Sequence, residues 1–312
     1  MLQDAITRAT AILTTRHDVE FEAAHSLLTR LASLYEQSTT EAAVAVITAA
    51  ARDPVPVRPE RRHLDGTAEA LSLDDLQLGA ANLVRDLPHL APADMLFAVD
   101  ELVAAAARHV PGARYAGITA LHRHRHVDTP SATGRYPAFL DAVQDRHHQG
   151  PCLEAIRLHR TVQVDDLNTE RRWPDYRREA LTHTPIRSVL SVPMASSRTQ
   201  TSSALNFYAE EPDAFAGHPT DGAAAFASYT ALAWTILCQD AQFRRALASR
   251  DVIGQAKGML MERYDVDAES AFSLLTKLSQ DSNVPLVEVA RRLVGAEKHR
   301  PCGPPEDSVR AC

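Results

Sequence analysis

Between Ala248 and Arg263 the chain runs ASRDVIGQAKGMLMER. This stretch is the centre of a helix that reads from Gln242 to Tyr264. The helix carries Arg244, Arg245, Arg250, Lys257 and Arg263 against Asp251 and Glu262, a net charge of +3. Such a run is ordinarily a solvated face, but a cationic helix within an acidic protein also suits contact with phosphates. Lys257 stands beside Gly258, where a missing side chain lets a backbone or a base come close. Downstream, Asp267 is placed to cap a second helix, Ala268 to Gln280, whose Ala271, Leu274, Leu275 and Leu278 read as core-facing. Pro285 opens a third helix, and Leu286, Val289, Ala290 and Leu293 close a three-helix bundle.

The same pattern occurs at the start of the chain. Shifted by 247 positions, residues 9–31 overlay residues 256–278 with twelve identities, from Ala9 on Ala256 to Leu31 on Leu278. Unrelated segments would share roughly one or two. Helical periodicity explains matched apolar positions but not Arg16 on Arg263, Asp18 on Asp265 or Thr29 on Thr276. The register continues with Glu41 on Glu288 and Ala43 on Ala290. Residues 1–51 therefore read as a second copy, with Thr10, Ala11 and His25 where the other has Lys257, Gly258 and Phe272.

Between the copies lie a proline-rich linker, residues 52–71, with Pro54, Pro56 and Pro59, and a mixed region, residues 72–240. Ser72 is a helix cap ahead of a segment reaching toward Leu87, and a second helix spans Pro92 to His109. Strands are read at Tyr115–His124, Thr161–Val164, Ser188–Val192 and Ser203–Tyr208, with helices near Tyr136–Arg146 and Pro174–Thr182. Strands with helices between them imply an α+β sheet. A long helix then leaves from about Thr220. Tyr229, Ala233, Ile236, Phe243 and Leu247 follow a seven-residue pattern, read either as packing on the sheet or as a seam between two protomers. Residues 241–296 hold the bundle, and 297–312 form a polar tail.

Hydrophobic residues make up 45% and charged residues 23% of 312, with a net charge of −7. That is a globular composition, and any nucleic-acid contact must come from a local patch. The N-terminus has no signal-peptide pattern. The longest apolar candidate, Ala223–Cys238, is short and carries Ser228, Tyr229, Thr230 and Thr235, so a cytoplasmic protein without a membrane span is expected. Cys152, Cys238, Cys302 and Cys312 are widely spaced and read as free thiols.

Two families are resembled. Gly150-Pro-Cys-Leu-Glu-Ala155, Val162–Asp166, Arg172-Trp173-Pro174, Arg187–Pro193 and Ala204-Leu-Asn-Phe-Tyr208 together resemble a GAF domain over residues 72–240. Ala248–Arg263, continuing through Ala271-Phe272, Leu274-Leu275, Ser279-Gln280 and Val289-Ala290, is similar to an ANTAR domain. The resemblance implies a GAF-type antiparallel sheet with flanking helices, a C-terminal three-helix ANTAR bundle and a helical, degenerate ANTAR-like module at residues 1–51. It also implies a signal-responsive regulator that binds RNA stem-loops of nascent transcripts and acts by transcription antitermination. A homodimer and a small-molecule ligand in the GAF pocket are the further partners expected; no cofactor is named. RNA-binding residues are expected at Arg250, Gln255, Ala256, Lys257, Gly258, Met261, Arg263 and Tyr264, the last an exposed ring for base stacking, with Phe272 filling the core. The N-terminal copy, lacking the lysine and glycine, is expected to bind RNA weakly or not at all and to serve dimerisation or masking. An assembly module without RNA binding is the alternative.

Catalysis is not expected. Cys152 follows His147-His148, a conceivable Cys–His nucleophile and the basis of a thiol-reductase alternative. His122, His124 and His126 alternate on one face, which can clamp a metal, although Arg123 and Arg125 argue for a solvated hairpin. Asp165-Asp166 read as loop caps and Asp141 and Asp145 as helix surface. Thr220-Asp221-Gly222 lacks the acidic pair of cyclic-nucleotide-binding GAF domains.

Overall fold

A computed structural model describes residues 2–52, 73–122, 126–194, 202–217 and 220–298. The expectations for the linker from Asp53, Ser72, Arg123, His124, Arg125, Cys302, Cys312 and the tail beyond Lys298 fall outside these residues. The chain divides into two compact units, residues 1–241 and 242–312.

The first unit is built on a five-stranded antiparallel sheet, β1 (Tyr115–Leu121), β2 (Val127–Ala132), β3 (Val162–Val164), β4 (Ser188–Met194) and β5 (Ser202–Ala209), in the order β2-β1-β5-β4-β3. One face carries Ala116, Ile118 and Ala120 of β1 beside Leu205 and Phe207 of β5 and Leu190 and Val192 of β4. These share a core with α5 (Pro92–His109) and the first part of α9 (Asp221–Tyr264). The other face carries Val189 and Tyr208, which pack with α6 (Tyr136–His147) and α8 (Pro174–His183). With both faces covered, the inner strands are buried almost continuously and show no alternation. Edge strand β2, with Pro130 and polar neighbours, gives no apolar signal, which is why the sequence reading passes over it. Helix α4 (Leu73–Asp86) precedes α5.

Three helices, α1 (Leu2–His17), α2 (Phe21–Leu34) and α3 (Thr39–Arg52), form the N-terminal bundle. They are not set apart from the sheet. Ala9, Leu13, Leu27, Leu28, Leu31 and Ala43 belong to the core that also holds Leu96, Val99 and Leu102 of α5. Polar contacts pin the docking. Arg16 donates through Nε and Nη2 to the two carboxylate oxygens of Asp94, both at 2.8 Å, and His17 stacks on Phe97. Arg30 donates to both oxygens of Asp100 and to the Pro130 carbonyl, and Tyr35 donates to Asp240 at 2.5 Å. Burial and the Arg16 and His17 partners act on Asp94 in opposite senses, and the net result holds its carboxyl below the usual carboxylate value. Tyr35→Phe is expected to lower the stability of this docking by about 2 kcal/mol, the net worth of one hydrogen bond to a charged acceptor, read as a shift in urea midpoint.

The second unit packs the last part of α9 against α10 (Ala268–Ser282) and α11 (Leu286–Lys298) around Ala256, Leu260, Ala271, Leu275 and Ala290. Asp267 caps α10, its carboxylate accepting from Ser270 N at 2.8 Å, as the sequence implies. Three expectations are corrected here. Phe272 and Leu278 are 47% exposed and Leu274 is 39% exposed, so none of them fills the core. A three-helix bundle with alanine at three of its central positions is narrow, and Ala271 and Leu275 between them fill the inner side of α10.

The two bundles coincide element by element at the 247-residue offset. α2 begins at Phe21 and α10 at Ala268; α3 begins at Thr39 and α11 at Leu286. The turns fall on matched left-handed residues, Asp18 (φ 53°) with Asp265 (φ 49°) and Glu36 (φ 51°) with Asn283 (φ 50°). The bond from Val19 N to the Thr14 carbonyl repeats as Val266 N to Met261, both at 3.3 Å. All five core residues of the second unit have identical, buried counterparts in Ala9, Leu13, Ala24, Leu28 and Ala43.

Candidate functional site

In the second unit the residues that could meet a ligand are sorted by helix geometry. Positions 250, 254, 257, 258 and 261 recur at i, i+4, i+7, i+8 and i+11, which places them along one face of α9. Arg250, Gly254 and Gly258 are exposed, and Lys257 and Met261 are half-buried at the edge of the core. A Cβ added at Gly254 or Gly258 would meet no described atom within 4 Å. The face is therefore a low glycine strip flanked by two cations. Of the expected residues, this face collects Arg250, Lys257, Gly258 and Met261. Gln255 is exposed but points away, and Arg263 and Tyr264 lie at the end of α9, with Tyr264 60% exposed. Ala256 is corrected outright. It is 0% exposed in the centre of the bundle and can touch nothing outside it. Gly254 was missed, although its four-residue spacing from Gly258 was visible.

The chemistry-bearing residues of the five-stranded sheet gather on the face covered by α6 and by α7 (Pro151–Leu158). Gly150 adopts φ 144°, and a Cβ there would lie 2.3 Å from Gln144 Oε1. That close approach lets Gln144 accept from Cys152 N at 3.0 Å and so cap α7. Gln144 donates to Asp141, which also accepts from Thr119 at 2.6 Å and Thr129 at 2.7 Å. Asn206 donates to Thr119, and Cys152 contacts Ser191 at 3.5 Å and Tyr208 at 3.6 Å. Asp141 is thus buried within a polar network, not on a helix surface. Burial pushes its carboxyl up to about 7, against the lowering effect of Thr119, Thr129 and Gln144. Burial, with Asp141 nearby, likewise pushes the Cys152 thiol up to about 11. Asn206 Oδ1 and the Tyr176 hydroxyl are buried here with no hydrogen-bond partner among the described residues.

Other candidates resolve into local structure. His147 binds Glu179 at 2.7 Å and makes no contact with Cys152. His126 meets Asp145, which also accepts from Val127 N at 2.8 Å, so Asp145 ties β2 to α6. Among the described residues no group of three or more His, Cys, Asp or Glu is placed to hold a metal. Asp166 caps its turn through Asn168 N at 2.8 Å, as read. Along the early part of α9 runs an open groove of about 680 Å³, lined by His159, Arg160, Val192, Pro193, Ala231 and Leu232 among others. Ala233 is buried, and Tyr229 and Ile236 are half-buried and pack against the same core, as the first of the two readings of this helix has it; Phe243 and Leu247 are exposed. No helix among the described residues is long and apolar enough to cross a membrane.

Residues 98–235 match the family model of the GAF domain, and residues 241–294 match that of the ANTAR domain. The ANTAR match thus lies in the C-terminal bundle and does not reach residues 1–51. No curated protein matches the chain. Among solved structures, the free methionine-R-sulfoxide reductase of Neisseria meningitidis with its substrate is 15% identical; 61% of this chain and 96% of that one are covered, with a TM-score of 0.35. The GAF domain of the Acinetobacter phosphoenolpyruvate-protein phosphotransferase is 14% identical over 54% of this chain and 98% of that one, with a TM-score of 0.38. A GAF domain/HD domain protein of Geobacter sulfurreducens is 18% identical over 49% and 99%, with a TM-score of 0.35.

Proposed function

We propose that this chain, with a GAF domain ahead of an ANTAR domain, is a signal-responsive regulator that binds RNA stem-loops and acts by transcription antitermination. The observation that carries this reading is the Arg250–Gly254–Lys257–Gly258 face within the ANTAR-matched bundle, exposed at Arg250 and both glycines and half-buried at Lys257. Cations set beside two bare glycines let a phosphate backbone approach the helix closely while its charge is met. Crosslinking the protein to cellular RNA, followed by sequencing of the bound fragments, tests it. Recovered fragments should share stem-loops, and their affinity should fall steeply with salt. Random fragments with no common element would sink the reading.

The glycine strip supplies a sharper test. Gly258→Ala fits the open space, so it should stabilise the bundle by up to about 1 kcal/mol through helix propensity alone. If RNA lies against the strip, the same methyl group should weaken RNA binding by roughly tenfold. Thermal unfolding and gel shifts on the one variant separate the two effects. A variant that is stabilised and binds RNA unchanged removes the strip from the interface.

The signal is read by the GAF domain, and a small ligand would find its room in the groove along α9 rather than in the sealed network around Asp141. Catalysis by Cys152 is disfavoured, because a buried thiol raised to about 11 supplies almost no thiolate. Exposed Phe243 and Leu247 offer a short helix–helix contact for a homodimer. The N-terminal bundle is a degenerate ANTAR-like copy that does not bind RNA. At the position of Lys257 it has Thr10, fully buried and donating to the Ile6 carbonyl.

A further inference from the structure

The repeated bundles share one face and use it differently. In the N-terminal bundle Leu27 and Leu31 are 2% and 4% exposed. Their counterparts Leu274 and Leu278 are 39% and 47% exposed, although both bundles have the same helices around the same five core residues. The extra burial of Leu27 and Leu31 therefore comes from outside their bundle. The element that α2 meets there is α5. Arg30 frames this seat by binding Asp100, and Arg16 frames it by binding Asp94. The C-terminal bundle keeps the set, with Lys277 at the position of Arg30 and Arg263 at that of Arg16.

We infer that the Leu274–Lys277–Leu278 face of α10 is a protein-docking surface whose occupant is a second copy of this chain. It seats on the Asp94–Phe97–Asp100 face of α5 in that copy, in place of the N-terminal bundle. Charge complementarity and the existing seat of the twin argue for this occupant. The lysine and two leucines of α10 reproduce the arginine and two leucines that already fit there. The N-terminal bundle is tethered to its own α5 and holds the seat by effective concentration, so exchange requires that it be loosened. The inference stands on the repeat and does not depend on the RNA reading.

Carbodiimide coupling tests it with the full chain, because it joins a lysine amine to a carboxylate only at ion-pair distance and leaves arginine untouched. Arg30 cannot give the product at Asp100, whereas Lys277 can. Isotopically light and heavy copies are mixed, coupled and digested. In Arg30→Ala, which loosens the native seat, a Lys277–Asp100 peptide joining light to heavy chains should rise at least fivefold over the parent protein. Leu27→Asp, which forces a charge into the buried seat, should give the same product. Adding Leu274→Asp and Leu278→Asp, both at exposed positions, should abolish it. The inference is overturned if neither loosened variant yields the cross-copy peptide, if the product joins only residues of one isotopic chain, or if the α10 substitutions leave it unchanged. It is equally overturned if those substitutions chiefly reduce RNA binding, since the face then belongs to RNA.

Discussion

Reversing two charges on α9, with Arg250→Glu and Lys257→Glu together, should weaken RNA binding roughly 100-fold, or about 3 kcal/mol. The argument is electrostatic and geometric. The two side chains stand two helical turns apart on one face of α9, with Gly254 leaving the surface between them bare and Gly258 leaving it bare beside Lys257. Each cation that meets a phosphate releases a counterion, so the double variant should also flatten the dependence of affinity on salt by about two phosphate contacts. Gln255→Ala, on a different face of the same helix, should change neither quantity. Neither acidic residue enters the bundle core, which consists of Ala256, Leu260, Ala271, Leu275 and Ala290, so unfolding curves should stay close to the parent. Affinity for the crosslinked RNA fragments, measured between low and physiological salt, is the readout. Unchanged binding in the double variant would remove this face from the interface and leave the bundle as an assembly element.

How much was legible depended on whether burial was one-sided. α5, α6 and α8 were placed within a residue or two because proline marks each start and apolar spacing marks each length. The three-helix bundle was legible for the same reason, and the duplication was legible because polar as well as apolar positions recur. The seat of the N-terminal bundle was not. Leu27 and Leu274 are the same residue in the same helix, and only the surroundings separate a buried one from an exposed one. Sequence periodicity says which side of α10 is apolar, not whether the side is used, and so Phe272, Leu274 and Leu278 were placed in the core. At the binding face, charge and glycine were readable but helical phase was applied too loosely. Ala256 was included with Lys257, its neighbour in sequence, although adjacent positions point 100° apart. Asp141 was misread because an aspartate on a polar-looking helix is normally solvated. Its burial follows from Thr119, Thr129 and Gln144, which come from three different elements.

That burial has a measurable signature in folding. The folded-state value of Asp141, about 7, lies above the ordinary value of 3.8 that applies in the unfolded chain. A carboxyl shifted in this direction keeps its proton in the fold after the unfolded chain has released it. Its contribution to stability is therefore complete below about pH 4 and declines as pH rises toward 7, then levels off. Between pH 5 and pH 8 the linkage amounts to about 2.5 kcal/mol, and across the full window from pH 3 to 8 to about 4 kcal/mol. Asp141→Asn keeps an oxygen for Thr119 or Thr129 and removes the titration. Other carboxylates contribute equally to both proteins, so the difference between parent and variant isolates this one. Relative to the parent, the variant should gain about 2.5 kcal/mol in urea unfolding free energy on moving from pH 5 to pH 8. A constant difference would mean that Asp141 stays ionised inside the network. Its two hydroxyl donors and the Gln144 amide would then outweigh burial, and the polar core of the first unit would carry a permanent negative charge.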